Sequence, residues 1–174
     1  MRPLRTRKKV LPRLPRFVRH RISLEEVSRL AQESPTHFGS ITMLVFYLAT
    51  VGELERALSV AQIAVTTVPN DCALHRLTAL VLDELGETTQ AVSEYREAYR
   101  LGWPDNNGEL HLRVGDLLYL AGDPESAHAS WQKAVENAAA YRNSASYQAK
   151  PAWVRLIVWV FSPSRTASRR IRNY

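Results

Sequence analysis

Residues 48–64 read LATVGELERALSVAQIA, and two later stretches follow the same pattern: LDELGETTQAVSEYREA at 82–98 and LYLAGDPESAHASWQKA at 118–134. In each, a leucine (Leu48, Leu82, Leu118) stands four residues before a glycine (Gly52, Gly86, Gly122). Alanine follows five residues after the glycine (Ala57, Ala91, Ala127) and again twelve after it (Ala64, Ala98, Ala134). Nine after it comes Ala61, Tyr95 or Trp131, and the glycines are spaced by 34 and 36 residues.

Apolar residues at i, i+3, i+4 and i+7 on both sides of each glycine predict a pair of amphipathic helices. The glycine ends the first helix, where the turn wants a positive φ. The alanines let the two helices approach closely, and the larger residue between them fills the remaining gap. A unit of this size cannot bury its apolar face alone, so its copies are expected to stack.

These residues resemble the tetratricopeptide repeat (TPR) family. Small residue, glycine, alanine, aromatic and alanine occur in the family's order, and Pro69 closes the first unit as that pattern expects. Three repeats result, about 38–71, 72–105 and 108–141. Ser23 to Pro35 fits the second half of an earlier repeat, with Ser23 and Glu26 as a capping box. The family's early tryptophan is replaced by Ile41, His75 and His111, and Val45 stands where a small residue is usual. The expected fold is therefore all-α, a TPR-like solenoid over residues 23–141. A basic arm (1–22) precedes it, and a linker (142–150) and a Trp-rich apolar segment with a basic tail (151–174) follow.

The resemblance implies a scaffold that holds a protein segment along the face made by the first helices. Its groove positions fall on Thr42, Phe46, Ala49, Arg76, Leu80, Asp83, Glu109, Leu112, Asp116 and Tyr119, a mildly acidic set with two aromatic anchors. One subgroup of the family grips a C-terminal carboxylate. Those places here hold Thr42, Phe46, Leu77, Glu109 and Arg113, of which only Arg113 has the right chemistry and Glu109 would repel the ligand. A basic or apolar segment suits this groove better.

Catalysis is not expected, and no catalytic, cofactor-binding or metal-binding residues are assigned. The chain has no Gly-rich phosphate loop, HExxH or nucleophile elbow. Its five histidines show no metal-ligand spacing, and paired acids such as Asp83-Glu84 read as exposed helix charge. Cys72, the single cysteine, forms no disulfide within the chain and is expected to be a buried, inert thiol in a reducing, cytoplasm-like compartment. A secretory signal is not expected either, because the basic start never reaches an apolar stretch.

Charge is strongly segregated. All seventeen acids lie between Glu25 and Glu136, and residues 23–150 have nine Lys or Arg, a net −8. Residues 1–22 carry +9 and residues 151–174 carry +5. The arm's prolines (Pro3, Pro12, Pro15) forbid one long helix, so it is expected to be extended. Its uses would be contact with RNA phosphates, with anionic lipid or with an acidic protein, or service as a transit segment. The segment Ala152–Phe161 is apolar all round except Arg155 and must be covered. Its tryptophans suit a membrane interface, and burial against a partner or over the last repeat is equally compatible with its composition. The preferred expectation is peripheral docking on a membrane-associated complex through Arg5, Arg7, Lys8, Lys9, Arg13, Arg16, Trp153, Arg155, Trp159 and Phe161. The alternative is a ribonucleoprotein subunit with RNA-bound tails, which the arm's shortage of aromatic platforms argues against.

Overall fold

The computed structural model describes residues 37–152 and 162–173, together with Glu25, Ser28, Arg29 and Glu33, which are helical. The capping box of Ser23 and Glu26 lies outside the described residues. The chain divides into two compact units between Trp103 and Pro104. Helix is the only regular structure among the described residues.

The unit that ends at Trp103 holds α1 (Phe38–Val51), α2 (Leu54–Thr67), α3 (Cys72–Leu85) and α4 (Thr88–Arg100). These are two helical hairpins, one for each of the first two repeats read from the sequence. Both hairpins turn by the same device. Gly52 and Gly86 adopt φ of 93° and 89°, which lets the next residue's N–H reach back over the helix end. Glu53 N donates to Leu48 O and Glu87 N to Leu82 O, both at 2.9 Å. The recurrent leucine and glycine are therefore two ends of one hydrogen-bonded motif. Asp71 starts α3, its Oδ1 accepting from Ala73 N at 2.8 Å and Leu74 N at 3.2 Å.

Helix α3 packs on α2, α4 and α1, so it is enclosed on several sides. That position explains its near-continuous apolar run, with Leu74, Leu77, Ala79, Leu80, Val81 and Leu82 all buried. Helix α2 meets its neighbours through Ala57, Ala61 and Ala64, each 3% exposed or less, as close helix approach requires.

The other unit holds α5 (Glu109–Leu120), α6 (Pro124–Asn143), α7 (Ala145–Gln148) and α8 (Pro163–Asn173). The α5–α6 turn repeats the motif, with Asp123 N donating to Leu118 O at 3.0 Å. Asp123 caps α6 through Ser126 N, and Pro124 fills the first turn, where its missing N–H costs nothing. Helix α6 runs 20 residues, past the end of the repeat. The stretch expected to be a linker, 142–150, thus begins inside α6 and contains α7, whose Tyr147 is buried edge-on against Tyr141 at 5.3 Å.

Helix α8 lies in the stretch read from sequence as a basic tail. It packs chiefly on α6 and to a lesser extent on α5, the way α3 packs on α2 and α1. It thus takes the place of a further repeat's first helix. Ala167 is fully buried with Ala127, Trp131 and Ala134, and Ile171 packs against that cluster. Arg165, Thr166 and Arg169 face outward, the polar outer surface that a capping element needs.

Residues at the centre of the three hairpins follow a size rule. Val45, Ala79 and Gly115 occupy the same register position, sixteen residues before Ala61, Tyr95 and Trp131. As the second residue grows from alanine to tryptophan, the first shrinks from valine to glycine. All four of Val45, Ala61, Ala79 and Tyr95 are 2% exposed or less. In the third hairpin the fit is tight: a Cβ on Gly115 would stand 2.4 Å from Trp131 Cδ1.

Candidate protein-interaction site

The groove positions are placed unit by unit. On α1, Thr42 and Phe46 are half-buried and Ala49 is 1% exposed. The Thr42 Oγ1 atom is itself buried without a hydrogen-bond partner among the described residues. On α3, Arg76 is half-buried with its guanidinium carbon 4.8 Å from the centroid of the Trp103 ring, a cation–π contact. Leu80 is buried at 7% exposure, and Leu77 at 2%. Asp83 is only 2% exposed and accepts a hydrogen bond from Tyr95 Oη at 3.3 Å. Of the groove positions on α1 and α3, Thr42, Phe46 and Arg76 keep some exposure. The one charge among these three is that of Arg76, since Asp83 is turned into the unit.

In the other unit Glu109 is exposed at the first position of α5, while Arg113 and Leu112 are half-buried. Tyr119 is half-buried and tilted over Trp131, with ring centroids 5.7 Å apart. Asp116 Oδ1 accepts from Trp131 Nε1 at 3.1 Å and from Arg170 Nε at 3.2 Å. Asp116 therefore joins α5, α6 and α8. Tyr95 and Trp131 are register equivalents, and each gives its polar hydrogen to an aspartate on the preceding helix. A buried Tyr or Trp needs such a partner, and this need draws two of the three expected groove acids, Asp83 and Asp116, inward, while Glu109 stays exposed. The docking residues Arg5, Arg7, Lys8, Lys9, Arg13, Arg16, Trp153, Arg155, Trp159 and Phe161 lie outside the described residues.

The two histidines at the family's tryptophan position are structural anchors. His75 is 7% exposed, with Nδ1 2.7 Å from Glu94 Oε2 and Nε2 2.9 Å from Pro69 O. Both partners are acceptors, an arrangement that favours the doubly protonated ring over either neutral tautomer. Burial opposes that charge, but the bonds to the Pro69 carbonyl and the Glu94 carboxylate outweigh it. The pKa consequently lies above the ordinary 6.5. His111 Nδ1 sits 2.7 Å from Asp105 Oδ2. Asp105 also accepts from the backbone N–H of Leu110 and of His111, tying the preceding loop to the start of α5. The repeat register located these histidines. Their acidic partners lie on other elements and left no local signal.

Cys72 is half-buried at the start of α3, less enclosed than the sequence led us to expect. Among the described residues no group of three His, Cys, Asp or Glu side chains is placed to hold a metal ion. None of the described helices is long and apolar enough to cross a membrane.

Helical hairpins of 34-residue period, glycine-turned and alanine-packed, are the geometry of tetratricopeptide repeats. The fold is TPR-like. Among solved structures, a MamA double mutant (MamA RS-1) is similar with a TM-score of 0.60 at 18% identity, covering 70% of this chain and 67% of that one. MamA residues 41 to the end from Desulfovibrio magneticus RS-1 give 0.59 at 19% identity, with the same coverage. A thermophilic TPR protein of Thermus thermophilus, TTC0263, gives 0.55 at 24% identity over 79% of this chain and 72% of that chain. No family model matches the sequence, and no curated protein matches it. At these identities the likeness is one of fold.

Proposed function

We propose that this chain is a non-enzymatic protein-interaction scaffold that works within a larger assembly. The observation that carries this reading is the placement of Phe46 and Arg76 on the first helices of two stacked TPR-like hairpins. There a half-buried aromatic and a guanidinium braced by Trp103 are offered to a partner. Aromatic and arginine side chains are the usual anchors of a protein interface. The likeness to solved TPR structures supports the same reading, as does the absence of any catalytic motif in the sequence. The bound segment would be a protein, apolar in the main because Asp83 is spent inside the unit. In this reading the basic arm and the Trp-rich segment hold the scaffold at a membrane-associated complex, in a cytoplasm-like compartment.

The test is a native pull-down with the full-length chain and its Phe46→Ala/Arg76→Glu variant, with and without nuclease. Protein partners that survive nuclease and are lost with the variant support the reading. Partners that vanish with nuclease, leaving RNA as the main captured species, would favour the ribonucleoprotein role instead.

A further inference from the structure

Helix α8 carries four arginines and no acid in eleven residues. Its inward face is fully used: Ala167 and Ser164 are buried, Ile171 packs on the Trp131 cluster, and Arg170 reaches Asp116. Arg142 adds a bond to Ser164 Oγ at 3.3 Å. The opposite face bears Arg165, Arg169 and Arg172, all exposed. Their i, i+4, i+7 spacing sets them in one stripe about 10 Å long. Arg169 and Arg172 make no ion pair with any described residue.

We infer that this arginine stripe is a docking surface for anionic lipid headgroups, a deepening of the membrane-docking part of the function proposed above. Three observations favour lipid. The stripe lies on one face of a single helix, so all three charges can meet a flat charged plane together. The described part of α8 contains no aromatic platform on which bases could stack. The sequence just before the helix holds Trp153, Trp159 and Phe161 with no acid, a composition matched to the headgroup level of a bilayer. The capping helix thereby does two things. One face closes the second unit, and the other carries exposed positive charge suited to a negative surface.

The experiment measures binding of the full-length chain to vesicles of phosphatidylcholine with 30% phosphatidylserine, against phosphatidylcholine alone. Three chains are compared: wild type, Arg165→Gln/Arg169→Gln/Arg172→Gln, and a control, Arg56→Gln/Arg96→Gln/Arg100→Gln, that removes equal charge from α2 and α4. Circular dichroism melts establish that each is folded. Three headgroup-level arginines are worth on the order of a hundredfold in affinity, so the α8 variant should lose that much on anionic vesicles and the control should lose little. Equal losses in both variants, or none in the α8 variant, overturn the inference. If the α8 variant keeps its vesicle affinity but loses binding to a uridine 20-mer, the stripe is an RNA contact and the inference is likewise overturned. Vesicle binding that persists in the α8 variant but fails in Trp153→Ala/Trp159→Ala leaves the membrane-docking reading standing without α8. A wild-type chain that ignores anionic vesicles removes both, while the pull-down still tests the scaffold.

Discussion

Replacing Gly115 with alanine should damage the second unit far more than a single methyl group suggests. The new Cβ would lie 2.4 Å from Trp131 Cδ1, 2.5 Å from Nε1 and 3.0 Å from Ala127 O. The indole must retreat by about 1 Å to reach ordinary contact distance, in an interior with little slack. Trp131 is 2% exposed, and its Nε1 holds Asp116 at 3.1 Å, so retreat strains a bond to a charged acceptor. Overpacking costs about 1–3 kcal/mol, and a weakened charged hydrogen bond about 1.5–3 kcal/mol. The gain in helix propensity from Gly to Ala returns only about 1 kcal/mol. The net loss is about 1.5–5 kcal/mol, and a loss near 3 kcal/mol lowers the Tm of a unit this size by roughly 12–24 °C. Denaturant and thermal melts followed by circular dichroism measure it. The second hairpin supplies the compensating change, since it pairs Ala79 with Tyr95 at the same two positions. Gly115→Ala/Trp131→Tyr should therefore cost at least about 1 kcal/mol less than the sum of its single changes. A Gly115→Ala chain as stable as wild type, or more so, would refute the reasoning, because propensity alone would then have decided the outcome.

Other outcomes follow from the same geometry. Asp116→Ala leaves Trp131 Nε1–H and Arg170 without their acceptor, so it should cost about 1–3 kcal/mol and speed amide exchange across 163–173 more than across α1–α4. His75 has a raised folded pKa, so the stability it contributes is full below the unfolded value of about 6.5 and fades as pH climbs through the folded value. Urea melts from about pH 6 upward should show this loss, and His75→Gln should flatten that part of the profile. Phe46→Ala should weaken partner capture about 5- to 30-fold, the range of an interface anchor, while leaving the Tm of the second unit unchanged.

The hairpins were legible because their signals are local. Leu48, Gly52 and Ala57 specify a turn and a close helix contact within ten residues, and the same spacing returns twice more. Helix α8 was harder to read, since SPSRTASRRIRN shows only charge until Ala167 and Ile171 are seen against Trp131. The acidity of the groove was misjudged for a related reason. Periodicity puts Asp83 and Asp116 near the groove, but it does not reveal that Tyr95 and Trp131 claim them across the hairpin. The polar partners of buried aromatics are set by tertiary contact, and spacing along one helix carries no trace of them.

The central claim is that the first helices hold a protein segment, and the paired pull-down tests it most directly. Full-length chain and the Phe46→Ala/Arg76→Glu variant would be captured side by side after nuclease treatment. A discrete protein partner is expected with the wild type and is lost with the variant, both chains being shown folded by circular dichroism. The same partners on both chains would contradict the claim, because the binding would then lie elsewhere on the molecule.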